Sequence, residues 1–348
     1  MFGIWRTLLA IEVVIYHLID VPVIGEYAVF GFFVLSGFLM TAIMQQTYGY
    51  APVGVLNYLQ NRALRLYPNY WFAAIISFLT IFVLGPAAVS AYNPHMIMPP
   101  TPGAWLENFT MIFFGWFPKD HLARLVPPAW ALTVEIFYYV LIGLGASRTR
   151  KSTIIWVSAS VIYVVGAYAG GGGGPNLYSA VPAGSLPFAM GAFTYHYRDT
   201  IQNALSDMRF TNPWPFIVTR WISCALFTIA NAATGFGWLI SLGNYVNVAI
   251  SVLIVCTLYH AKPGPALRRV DRDIGDFSYP IYLLHWQMGA VASAVLFGSL
   301  IRGPTLEGIA AAGLGLALTI LLGLVCARLI DPTIETLRAR VRQRALAT

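Results

Sequence analysis

Trp5-Arg6-Thr7-Leu8-Leu9-Ala10-Ile11-Glu12-Val13-Val14-Ile15-Tyr16-His17 decides how the chain is read, because it is apolar enough for a membrane yet carries an arginine, a glutamate and a histidine. Arg6 and His17 are separated by close to three turns at about 3.6 residues per turn, so in a helix both side chains leave the same face, with His17 roughly 16 Å deeper along the axis. An ionisable group near the bilayer centre costs on the order of 3 kcal/mol on insertion scales, so all three groups need partners or water. Two readings fit. The pair lines a passage from one face of the membrane to its middle, or it is a snorkelling arginine plus a core histidine bonded to a neighbouring helix.

Composition supports the membrane setting. Of 348 residues, 58% are hydrophobic and only 10% are charged, against about 25% charged in a soluble domain. The first segment has no small-residue cleavage site after it and reads as a retained span. Cys224, Cys256 and Cys326 all lie in apolar stretches without disulfide or CxxC spacing, which makes them packing residues.

Breaking the chain at Pro, Gly and charge clusters leaves ten apolar segments: 3–23, 29–46, 68–85, 128–146, 153–169, 182–197, 215–231, 237–260, 274–300 and 306–330. With the N-terminus inside, the cytoplasmic connections and tail collect sixteen of the 21 Lys and Arg residues, while the outer connections hold Lys119, Arg124 and Arg302; Arg6 and Arg220 lie within segments. That asymmetry predicts an all-α polytopic membrane protein of ten spans with both termini in the cytoplasm, residues 1–332 forming the membrane unit and 333–348 a basic tail. The long outer connection 86–127 carries an amphipathic stretch, Trp105 to Trp116, suited to the interface. A second outer connection contains five consecutive glycines, Gly170 to Gly174, a flexible loop with no phosphate-cradling pattern. No internal repeat is present, which argues against an inverted-repeat transporter.

Several residues are suited to chemistry. Arg62 and Arg65, at i and i+3 before Tyr67-Pro68, share a helix face and can fork onto phosphate oxygens, although position alone also fits positive-inside anchoring. The basic residues near 150 and in the tail read as topology and headgroup contacts. Glu135 is costly in a span unless protonated, paired or wet; it is a partner for Arg6, Arg220 or His17, or a proton acceptor. Ser278, Tyr282 and His285 fall at i, i+4 and i+7 and form one polar stripe, with Pro280 predicted to kink the helix beside it. No HExxH or paired His/Cys spacing exists and the two intramembrane histidines are on distant segments, so no metal is expected. Leu35-Ser36-Gly37 lacks the GxSxG elbow of a serine nucleophile.

Five motifs occur together and in order: Arg6 with ten residues before His17; Phe32-Phe33-Val34-Leu35-Ser36-Gly37-Phe38-Leu39; Arg62-x-x-Arg65-x-Tyr67-Pro68; Trp130-x-Leu132-Thr133-Val134-Glu135; and Ser278-Tyr279-Pro280-Ile281-Tyr282-Leu283-Leu284-His285-Trp286. In these the chain resembles the acyltransferase-3 family of bacterial integral membrane acyltransferases, many of which O-acetylate cell-surface or exported glycans. The resemblance implies a cytoplasmic-membrane enzyme taking an acyl group, by default acetyl from acetyl-CoA, to a glycan or lipid-linked saccharide on the far side, with membrane lipids around it and no nucleic acid partner. It implies that His17 is the catalytic histidine, that Arg6 sits by the donor, that Arg62 and Arg65 face the donor's phosphates, and that Glu135 supports the site. Ser278, Tyr279, Tyr282, His285 and Trp286 are then expected along the substrate's path, with Tyr279, Tyr282 or Arg6 as oxyanion donor.

That chemistry needs a base for the acceptor's hydroxyl proton and donors for the developing oxyanion, and a neutral imidazole suits the first task. An acyl-histidine intermediate would use the same residue. The competing class is a proton-coupled transporter or flippase of a lipid-linked sugar built on Arg6, Glu135 and His285.

Overall fold

The structure, a computed structural model, describes residues 1–171 and 174–347. Gly172 and Gly173, in the middle of the five-glycine run, and Thr348 lie outside the described residues. Among those described there is no strand, and fifteen α-helices account for the fold: α1 (Phe2–Leu18), α2 (Ile24–Ile43), α3 (Pro52–Leu84), α4 (Pro86–Tyr92), α5 (Pro102–Thr110), α6 (Ala129–Gly143), α7 (Arg150–Ala169), α8 (Pro175–Tyr178), α9 (Ser185–Asp207), α10 (Trp214–Thr234), α11 (Trp238–His260), α12 (Pro265–Gly275), α13 (Ser278–Phe297), α14 (Leu306–Leu329) and α15 (Asp331–Ala347).

Seven stretches among the described residues are helical, long and apolar enough to cross a membrane: Ile24–Tyr48, Pro52–Leu84, Arg150–Ala169, Trp214–Thr234, Trp238–His260, Pro265–Phe297 and Leu306–Leu329. The other three expected segments are helical too but fall outside that set. α1 has 17 residues and α6 has 15, while the second half of α9 carries Arg198, Asp199 and Asp207.

Burial follows composition. α2 is apolar nearly all round and sits inside the bundle, packed on α1, α9 and α11. α3, α10 and α14 instead turn Ile75, Phe82, Leu226, Ile229, Leu306 and Leu321 outward, a surface suited to lipid. α13 lies against both α1 and α14. The start of α1 crosses α12 at backbone contact: a Cβ added to Gly3 would stand 1.7 Å from the Asp271 carbonyl oxygen. Only glycine allows that approach, and it fixes the height of Arg6 three residues later.

Two prolines behave differently from the sequence expectation. Pro68 lies inside the 33-residue α3 rather than at its start, so Arg62 and Arg65 stand on a continuous helix. Pro280 is the third residue of α13, and the chain breaks before it, at Asp276 and Phe277. In a first turn the missing N–H has no intrahelical acceptor to lose, so Pro280 opens the helix instead of kinking it. The amphipathic outer stretch forms a shorter helix than Trp105 to Trp116 suggests: α5 stops at Thr110, where Met111 takes a left-handed conformation, leaving Trp105, Phe109 and Trp116 exposed. The tail, expected only as a basic extension, is α15, and it packs along α3 with Val341 and Ala345 buried.

One buried ion pair ties the halves together. The Arg220 guanidinium of α10 donates to Glu12 Oε1 at 2.7 Å and through Nε to Asn247 Oδ1 at 2.7 Å, and Trp221 Nε1 also donates to Glu12 at 2.7 Å. Glu12, one of the three ionisable groups of the opening stretch, therefore has its charge paired inside the bundle through Oε1.

Candidate active site

Three cavities run through the bundle from the Arg6 end of α1 to its His17 end. The inner one, about 150 Å³, is lined by Arg6, Arg62 and Arg65, by Ser36, Glu135 and Tyr139, by Ser278, Tyr279 and Tyr282, and by apolar groups including Val29, Phe32 and Leu132. α3 delivers both arginines to one wall as their i, i+3 spacing predicts. Among the described residues, the buried Nε atoms of Arg6 and Arg62 have no hydrogen-bond partner. Buried charged donors without acceptors are costly, and an anionic guest would satisfy them.

The inner mouth is more basic than the sequence reading foresaw. Asn61 Oδ1 accepts from Arg62 at 2.7 Å and from Arg338 Nε of α15 at 3.3 Å. Burial, reinforced by the charge of Arg62, pushes the Arg338 guanidinium down to about 10. A tail arginine expected to serve topology and headgroup contacts thus stands beside the Arg62 site.

Glu135 bonds to none of Arg6, Arg220 or His17. Its Oε1 accepts from Ser36 Oγ at 2.6 Å and from the Tyr139 hydroxyl. It belongs to the inner cavity, away from the histidine.

The outer cavity, about 420 Å³, is lined by His17, Asp20, Asn93, His95, Lys119, Arg124, Arg302, Trp130 and Trp286 among others. His17 occupies the last turn of α1, not its middle, and lies at the floor of this loop-roofed space. The roof is held by Arg124, whose guanidinium donates to the carbonyls of Lys119, His121 and Pro127, and by Asn108, which bridges Ala104, Ala123 and Leu125. Arg302 donates to Asp20 at 2.6 Å. Burial lowers the pKa of Lys119, with the charge of Glu26 opposing it, and burial beside Arg124 lowers that of His95.

Between the two lies a chamber of about 20 Å³, lined by Val13, Tyr16, His17, Val29, Lys119, Trp130, Tyr178 and Tyr282. It shares Val29 and Tyr282 with the inner cavity and His17 and Lys119 with the outer one. The expectation that Arg6 and His17 line one passage is therefore corrected. They open into different cavities, and Tyr282, anchored by its hydroxyl to the Pro128 carbonyl at 2.9 Å, lines both the inner cavity and the chamber.

His285, expected to line the substrate's path, lines none of the three cavities and is fully buried. Its Nδ1 faces the carbonyls of Tyr282 at 2.9 Å and Ile281 at 3.2 Å, so Nδ1 carries the proton. Its Nε2 is then an acceptor, and it meets Nδ1 of His17 at 2.9 Å with the rings parallel to within 3°. The neutral pair has one consistent assignment: His17 donates from Nδ1 and keeps a lone pair on Nε2. Distance in sequence had separated these two residues; α1 and α13 bring them into direct contact. Among the described residues no group of three His, Cys, Asp or Glu side chains is placed to hold a metal.

A family profile described as an acyltransferase domain matches residues 2–328. The chain belongs to the acyltransferase-3 family. No curated protein and no solved structure matches it. Acyltransferase-3 membership covers all three cavities and ends just before α15. Lys119 and Tyr139 belong to no motif that the sequence reading singled out. Lys119 lies in a loop whose spacing carries no periodic signal, so only the folded roof shows where it points.

Proposed function

We propose that this acyltransferase takes an acyl group, by default acetyl, from acyl-CoA entering the inner cavity, and passes it to a hydroxyl of a glycan or lipid-linked saccharide in the outer cavity. The observation that carries the reading is the His17–His285 pair at 2.9 Å, with His17 lining both the polar, aromatic outer cavity and the chamber between it and the arginine-lined one. Arg6, Arg62 and Arg65 suit the phosphates and carbonyl dipole of a CoA ester, and the unpaired Nε atoms of Arg6 and Arg62 favour an anionic donor. Tryptophan and tyrosine faces beside Asp20, Asn93 and Arg302 suit a saccharide.

In the transfer, His17 Nε2 takes the acceptor's hydroxyl proton as the oxygen attacks the thioester carbon. Collapse of the tetrahedral intermediate breaks the C–S bond, and the imidazolium returns the proton to the thiolate, releasing CoA. His285 holds the tautomer, and Glu135 with Ser36 and Tyr139 shapes the donor cavity. Since Tyr282 closes the donor cavity, it must move aside for the thioester to reach His17.

The charge asymmetry of the connections supports ten spans with both termini in the cytoplasm, an orientation in which the inner cavity faces the acyl-CoA side. Acetyl-CoA incubated with proteoliposomes tests the reading. Release of free CoA and an acetylated saccharide by mass spectrometry are expected, both abolished in a folded His17→Ala variant. Intact acetyl-CoA refutes it in favour of a transporter, and transfer undiminished by His17→Ala removes His17 as the base.

A further inference from the structure

The transfer needs a group to stabilise negative charge on the acyl oxygen, and the residues expected to do so are engaged elsewhere. Tyr279 donates its hydroxyl to the Leu66 carbonyl at 3.0 Å, Tyr282 to that of Pro128, and Arg6 stays in the inner cavity. Of the outer cations, Arg302 is paired with Asp20, and Arg124 directs Nε and Nη1 at three backbone carbonyls.

Lys119 is different. It lines both the chamber and the outer cavity together with His17. Its ammonium makes no hydrogen bond or ion pair of 4 Å or less among the described residues, and is held over the faces of Tyr178 at 5.0 Å and Trp130 at 5.7 Å. Aromatic faces fix a cation in place without consuming its N–H donors. The turn that carries it, Pro118–Asp120, is fastened from beneath by Arg124 through the Lys119 carbonyl.

Resting on the acyl-transfer reading above, we propose that Lys119 is a catalytic residue whose ammonium donates to the carbonyl oxygen of the acyl group as it becomes an oxyanion in the chamber beside His17. The balance is that of the transfer itself. The acceptor O–C bond forms, the C–S bond breaks, and the proton passes from hydroxyl to His17 to thiolate. Lys119 keeps its protons throughout and neutralises charge only while the carbonyl oxygen carries it. The assignment also gives the chamber a purpose. Its volume admits about one water-sized group, which matches a single carbonyl oxygen held between a base and a cation once Tyr282 has yielded.

Removing one oxyanion donor typically lowers kcat by about 10²- to 10³-fold. The experiment measures CoA release from acetyl-CoA in proteoliposomes, with methyl glucoside as the hydroxyl probe. For Lys119→Met, kcat should fall in that range, with KM for acetyl-CoA unchanged because Lys119 does not line the donor cavity. Lys119→Cys keeps the test independent of folding: aminoethylation restores a cation and should recover much of the rate, while ethylation of the same variant restores only bulk and should not. The native cysteines are all buried, which shields them from the reagent. Equal rates for the two alkylated forms, an unchanged kcat in Lys119→Met, or a rise only in KM for methyl glucoside would each overturn the assignment while leaving the transfer reading intact. A wild-type protein that leaves acetyl-CoA whole overturns both.

Discussion

Replacing His285 by phenylalanine probes the histidine pair most directly. His17 Nδ1–H now has one acceptor, His285 Nε2 at 2.9 Å, inside a bundle where His285 is fully buried. Phenylalanine keeps a planar ring of similar size but offers no lone pair. The Nδ1–H is then unsatisfied, at a cost of about 1–3 kcal/mol. The imidazole escapes that cost by moving its proton to Nε2, facing the cavities, which removes the lone pair that the proposed transfer uses to accept the substrate's proton. At about 1.4 kcal/mol per factor of ten, the competent tautomer falls roughly 5- to 150-fold, and kcat should fall with it while KM for acetyl-CoA holds. His285→Gln places a carbonyl oxygen near the position of Nε2 and should retain more of the rate than His285→Phe. Stopped-flow detection of released CoA, with thermal unfolding of each variant alongside, reads both outcomes. Equal activity in the two variants, or wild-type kcat in His285→Phe, would show that the contact orients nothing.

Three further outcomes follow from other parts of the molecule. Arg62→Ala with Arg65→Ala should raise KM for acetyl-CoA at least tenfold while largely sparing the rate for acetyl-pantetheine, which lacks the nucleotide phosphates; equal losses with both donors would mean the arginines do not meet phosphate. Arg220→Met leaves Glu12 uncompensated in the core and should cost about 3–5 kcal/mol of stability, read as a large drop in thermal unfolding temperature in detergent, with substantial recovery in the Glu12→Gln, Arg220→Met double variant. For His95, burial and the nearby Arg124 hold the folded pKa below the unfolded value near 6.5. The unfolded chain therefore binds the proton more readily, so this contribution is complete above about pH 6.5 and is lost as pH falls through the lower, folded pKa. His95→Gln should flatten that part of the melting curve against pH, and an identical slope in the variant would remove His95 as the cause.

Much of this was legible before any coordinates. The apolar segments, the position of Arg62 beside Arg65 on one helix face, and the motif order reveal themselves through local spacing, and a membrane span enforces local spacing strictly because its backbone must bond within the helix. Arg6, Arg62, Arg65, Glu135, Ser278, Tyr279 and Tyr282 do share a cavity. Pro280 misled because a proline reads alike as kink or helix opener until the preceding break at Asp276 is seen. Arg338 misled because charge on a tail resembles topology unless the tail folds back.

Chemistry and membrane character were therefore settled along the chain, by residue type and period. Which groups meet was settled across it. His17 and His285 lie on helices 268 residues apart in sequence, and a hydrogen bond reaching only about 3 Å has no signature in linear order. The same holds for Tyr282 standing between two cavities and for Lys119 pinned over aromatic rings, since both depend on how α1, α6, α13 and the outer roof pack, and packing is the one quantity a periodic pattern does not contain.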